Sequence, residues 1–311
     1  MPEFTKQTGQ FLSADGKTQV ACYYYEPRTA PRAIFQISHG MCEYIGRYET
    51  MIDALCRAGY AVCGNDHLGH GDTGDPKDYG FFAETDGYKL VLQDLRTMNA
   101  LARQRWPGLP LVFYGHSMGS FFARWYAELY PDTLDALVLS GTAGRSHLNR
   151  FGREMASLLA KRNGPRYISD FMVNASTGSY SRGIEDKGSP SVWLSRDPAV
   201  WAAYDSDPKT QFKFTVSAYR DMLTVLYHVN SRAWAEQFRK DLPVYLLAGD
   251  KDPVGNFGKG VEGTAELLRS EDVQDVTVKL YHDGRHEMHN ELNKEEVFRD
   301  LIAWCDGKIQ A

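Results

Sequence analysis

Short apolar runs alternate with amphipathic stretches along most of this 311-residue chain, and that rhythm limits the folds open to it. "AIFQIS" at 33–38, "YAVCGND" at 60–66, "LVFY" at 111–114, "DALVLSG" at 135–141, "VYLLAGD" at 244–250 and "VTVKLY" at 276–281 read as buried strands. Helical spacing of apolar residues marks 46–58, 87–105, 258–269 and 294–306. An opening hairpin is predicted at 10–14 and 18–25, turning through Ala14-Asp15-Gly16-Lys17. Strands separated by helices predict a mostly parallel central sheet flanked by helices on both faces. Sites in such sheets lie beyond the carboxyl ends of the strands.

Between 143 and 240 the alternation stops and the chain turns helical and aromatic. The expected organisation is an α/β core of residues 1–142 and 241–311, with a helical cap inserted at 143–240. Hydrophobic residues make up 43% of the chain, enough for a core of that size. A net charge of −5 with dispersed lysines and arginines excludes a nucleic-acid partner. The opening MPEFTKQTGQ has no signal-peptide pattern, and no run reaches membrane-spanning length. Cys22, Cys42, Cys56, Cys63 and Cys305 show no CxxC spacing, which points to plain thiols in a reducing cytoplasm. No metal or other cofactor is expected.

Where the third apolar run meets its helix, "YGHSMGS" sets Ser117 between Gly115 and Gly119. This is the G-x-S-x-G nucleophile elbow, in which a sharp strand-to-helix turn exposes a serine. A serine hydroxyl needs a base beside it. Of nine histidines, those after the last strand, in "YHDGRHEMHNE", are best placed. His286 is preferred to His282, and a metal held by His282, His286 and His289 is the alternative. His116 sits within the elbow, and His67 and His70 are assigned to shaping their glycine-rich loop. The carboxylate that orients the base is expected in "LLAGDKDPVGN", at Asp252 in preference to Asp250. Backbone donors for a developing oxyanion are expected at Met118 and, after His39-Gly40, at Met41.

Taken in order, "HGMCEYIGRY", "DHLGHGDT", "GHSMGS", "GDKDPVG" and "YHDGRHEMHNE" make the chain resemble the α/β-hydrolases of the monoglyceride lipase and lysophospholipase group. The resemblance covers nearly the whole chain and implies an α/β-hydrolase fold. It also implies Ser117 as nucleophile, Asp252 as acid, His286 as base, and Met41 and Met118 as oxyanion donors. The cap matches least well. In this group it covers an acyl-chain channel, so Phe151, Met155, Leu159, Phe171, Met172, Trp193 and Trp201 become candidate lining residues. The leading expectation is hydrolysis of a single-chain lipid ester, a monoacylglycerol or lysophospholipid, with at most transient membrane contact. A small-ester carboxylesterase, an acyltransferase or a serine peptidase would use the same three residues. A non-catalytic receptor would have no need of all three.

Overall fold

The computed structural model describes residues 4–309. Its strands are β1 (Phe4–Leu12), β2 (Gln19–Pro27), β3 (Ala33–Ser38), β4 (Tyr60–Asn65), β5 (Leu111–His116), β6 (Ala136–Ser140), β7 (Val244–Gly249) and β8 (Val276–Tyr281). They form one sheet in the order β1-β2-β4-β3-β5-β6-β7-β8. From β4 to β8 neighbouring strands run parallel, and β2 joins both β1 and β4 antiparallel. The sheet is therefore mostly parallel, as the alternation predicts, and the fold is the α/β-hydrolase fold that the resemblance implies.

β1 begins earlier than its side chains indicate. It is an edge strand of mostly exposed residues, so backbone pairing with β2 extends it where no apolar pattern exists. The inner strands show the opposite. Side chains alternate across a strand, so Leu111 and Phe113 of β5 enter one apolar layer, and Val112 and Tyr114 the other.

Helices α1 (Glu49–Arg57) and α10 (Lys294–Lys308) cover one face through Ile52, Leu55, Phe298 and Leu301. On the other face lie α2 (Gly87–Arg105), α3 (Met118–Leu129) and α9 (Lys259–Ser270). Between β6 and β7 the chain inserts α4 (His147–Asn163), α5 (Asp170–Ser176), α6 (Pro198–Ser206), α7 (Val216–Val229) and α8 (Arg232–Gln237). Each of these five starts at a serine, threonine or aspartate whose side chain accepts an N–H of the first turn.

α7 and α8 bury Tyr219, Val225, Val229 and Trp234 in the same apolar layer as α2 and α3. Arg124 of α3 ties both ends of the insertion down. Its guanidinium donates to the Ala143 carbonyl (3.1 Å), the Asn230 amide oxygen (3.1 Å) and the Val229 carbonyl, and lies over the Trp234 ring. Burial lowers its pKa to about 9.

Candidate active site

The turn from β5 to α3 holds Ser117 at φ 51° and ψ −122°, a conformation that L-residues rarely adopt. Two close approaches explain the flanking glycines. A side chain at Gly119 would strike the Ser38 and His39 carbonyls, and one at Gly115 would meet the first turn of α3. Met118 behind the serine is fully buried, whereas Ser117 itself is partly exposed.

Asp252 and His286 stand after β7 and β8. A side chain at Gly249 would overlap the Gly284 carbonyl, so the two loops meet backbone to backbone. Across that contact His286 Nδ1–H donates to Asp252 Oδ2 at 3.0 Å, with both residues buried. Asp252 Oδ1 accepts the Val254 N–H at 2.8 Å, which fixes the carboxylate. The bond at Nδ1 leaves Nε2 as the basic nitrogen. Burial pulls the imidazole pKa down, but the Asp252 carboxylate, with Glu287 and Glu43 beyond it, more than offsets this and leaves it raised.

The Ser140–Gly141 turn joins the pair to the serine. Ser140 O accepts the Ser117 N–H at 2.9 Å, and a side chain on Gly141 would lie 3.0 Å from the His286 ring. Among the described residues the Ser117 hydroxyl has no hydrogen-bond partner. Serine–histidine bonds are often long before substrate binds.

The alternatives separate cleanly. Asp250 pairs instead with His282, Oδ2 to Nδ1 at 3.1 Å, and the His282 side chain is 85% exposed. His289 stacks on Tyr48 at 4.3 Å. His282, His286 and His289 thus face different surroundings and do not form one ligand set. His116, within the elbow, has its ring 4.7 Å from that of His286.

Met41 follows Gly40 in the turn after β3, and a side chain on Gly40 would stand 3.1 Å from Ser117 Cβ. Among the described residues neither the Met41 nor the Met118 N–H donates to another backbone group. Met118 N–H thus opens a helix directly after Ser117, and Met41 follows a glycine packed against the Ser117 side chain.

A family model described as "Serine aminopeptidase, S33" matches residues 29–293. The chain belongs to this hydrolase family. A monoacylglycerol lipase of Mycolicibacterium smegmatis is 29% identical over 98% of both chains. The human monoglyceride lipase is 27% identical over 96% of this chain and 89% of its own. In structure the hydrolase is similar to a thermostable carboxyl esterase from Bacillus coagulans in complex with glycerol. That likeness has a TM-score of 0.92 and 30% identity, over 98% of this chain and 99% of the esterase.

Beneath the site the hydrolase carries a buried charge cluster that motif reading missed. Arg47 grips Glu287 with two bonds of 2.6 and 2.8 Å and reaches Glu43 at 3.2 Å. Tyr48 OH adds a 2.6 Å bond to Glu43. One guanidinium between two buried carboxylates leaves them unequal. Burial pushes Glu43 up, while at Glu287 the bidentate Arg47 outweighs burial and holds the pKa down. The available signal was the Glu43–Arg47 spacing of four and a glutamate directly after His286.

The insertion also reaches the histidine loop. Trp193 O and Leu194 O accept the His286 and Glu287 N–H groups at 3.3 and 2.7 Å, and Arg285 donates to Val192 O and Ser195 O. The Trp193 ring stands 5.0 Å from that of His286. Met172 is buried, and Met155 and Leu159 are half-buried against the main apolar layer. Trp201 packs over Gly188. Of the candidate lining residues, Phe151 and Phe171 are 55% and 56% exposed. On α4 the stripe Gly152-Ala156-Leu159 carries the packing, and the helical turn sets Phe151 and Leu158 beside it.

Proposed function

We propose that the chain is a serine ester hydrolase working through an acyl-enzyme on Ser117. The observation that carries this reading is the buried Asp252–His286 bond of 3.0 Å beside the strained elbow. His286 Nε2 takes the hydroxyl proton as Ser117 Oγ attacks the ester carbonyl, and the imidazolium rests on Asp252. The carbonyl oxygen gains negative charge between the Met41 and Met118 N–H groups. Collapse expels the alcohol with the proton from His286. Water then repeats the sequence and frees the acid.

The proposed substrate is a single-chain lipid ester of the monoacylglycerol kind. The names of the lipase relatives support this, as does the apolar surround that Trp193 gives the histidine. An ester is favoured over the free amino terminus of a peptide by the charges nearby. An α-ammonium needs an unpaired carboxylate, and Glu43 and Glu287 are both engaged by Arg47. Among the described residues no helix is long and apolar enough to cross a membrane. Contact with a lipid surface is proposed to be brief and through apolar residues of the insertion.

The test is kcat/KM across esters of one alcohol with rising acyl length, beside a two-chain lipid and an aminoacyl anilide. Each buried methylene contributes about 0.8 kcal/mol, so the rate constant is expected to rise about fourfold per carbon before levelling. A maximum at acetyl or butyryl esters would instead make the enzyme a small-ester carboxylesterase. Faster cleavage of the anilide would make it a peptidase.

The pH dependence follows from His286. Only neutral imidazole accepts the serine proton, and its pKa is raised. The acid limb of kcat/KM is therefore expected to have its midpoint above the usual histidine value of about 6.5. A midpoint below that value would remove His286 as the base.

A further inference from the structure

Gly40 sits where Glu43 and Ser117 leave no room for a side chain. Glycine at such a place has a cost, because the Gly40–Met41 peptide can turn over with little steric resistance. A trans peptide sets its C=O and N–H in opposite directions. Turned over, this one would offer the Gly40 carbonyl where the proposed oxyanion forms, and repel it.

His39 holds the carbonyl. Its Nδ1 is 2.8 Å from Gly40 O, and its Nε2 is 2.9 Å from the backbone nitrogen of His67. A carbonyl only accepts and a backbone N–H only donates, so these two bonds fix one tautomer, with the proton on Nδ1. His39 is fully buried, its ring tilted against that of His67 at 4.1 Å and beside that of His70 at 5.2 Å. Burial, with those two rings, holds its pKa well below the ordinary value, so the neutral form persists. On the other side of Gly40, its own N–H donates to Glu43, which Arg47 and Tyr48 hold.

We propose that His39 is a positioning residue for the oxyanion hole, its Nδ1–H pinning the Gly40 carbonyl so that the Met41 N–H stays turned toward the developing charge. This rests on the reading of Ser117 as nucleophile and Met41 as donor. The lock lies at the contact between the loops after β3 and β4, and the tautomer that makes it work is set by the main chain of His67.

The experiment uses the full chain and an alkyl trifluoromethyl ketone, whose tetrahedral adduct on serine carries an oxyanion. Its Ki does not depend on the fraction of protein that is folded. In His39→Leu, Ki and 1/kcat are expected to rise about 100-fold, the effect of losing one oxyanion donor, while KM stays within about threefold. His39→Asn keeps an N–H at the Nδ1 position and is expected to recover most of the loss. His39→Gln places its amide at the Nε2 position and is expected not to. An unchanged Ki in His39→Leu, or Ki and KM rising together, overturns the proposal. If His39→Leu does not fold, equal Ki values for the asparagine and glutamine variants overturn it. Ser117→Ala run alongside separates the two failures, since activity surviving there removes the underlying reading instead.

Discussion

Replacing Ser117 with alanine is expected to lower kcat by about a thousandfold to a millionfold and to abolish covalent labelling by a fluorophosphonate. The range is wide because backbone donors and binding still accelerate attack by water when the nucleophile is gone. Here the Met118 N–H and Met41 N–H remain in place, since neither depends on the serine side chain. The elbow should tolerate the change. Its strain lies in the backbone at φ 51°, and alanine adopts that conformation no worse than serine. An unchanged melting temperature with lost labelling is the expected pair of results. Labelling that survives in the variant would show that another residue carries the acyl group.

The second large effect is expected at Asp252→Asn, where kcat should fall about 10⁴-fold. The mechanism is the tautomer of His286. The carboxylate accepts from Nδ1–H at 3.0 Å with no exposure to solvent. An asparagine oriented with its N–H₂ toward the ring would hold the proton on Nε2, where it blocks acceptance from serine. The bond from the Val254 N–H to Oδ1 favours that orientation, because it keeps the amide oxygen on the far side. Asp250→Asn should stay within about threefold of the parent, as its partner His282 is exposed and screened by solvent. The comparison is direct, since both variants lose one negative charge within three residues of chain. If Asp250→Asn proves the more damaging, the acid has been assigned to the wrong aspartate.

Much of this protein was legible in local pattern. β3 and β8 are buried or half-buried runs whose lengths follow from their composition, and α2 matches its apolar spacing from Gly87 to Arg105. Gly115 and Gly119 announced a sharp turn, because the need for a missing Cβ is a property of the two neighbouring segments. β1 was less legible, since an edge strand is held by its partner's backbone and not by its own side chains. The face of α4 was not legible either. Phe151, Met155, Leu158 and Leu159 share a helical spacing, but only contact with α7 decides which of them are covered.

The sequence by itself determined the order of strands and helices, the elbow at Ser117, and the placing of candidate acids and bases after strand ends. These depend on periodicity and on backbone freedom, which act over a few residues. Tertiary structure decided which aspartate meets which histidine. Asp250 and Asp252 are two residues apart in one turn, and only the backbone contact of Gly249 with Gly284 buries one pair and leaves the other in solvent. It likewise decided the opposite pKa shifts of Glu43 and Glu287 around Arg47, and the tautomer of His39 set from His67. A proton's position depends on the partners that surround a group in space, and those partners come from loops far apart along the chain.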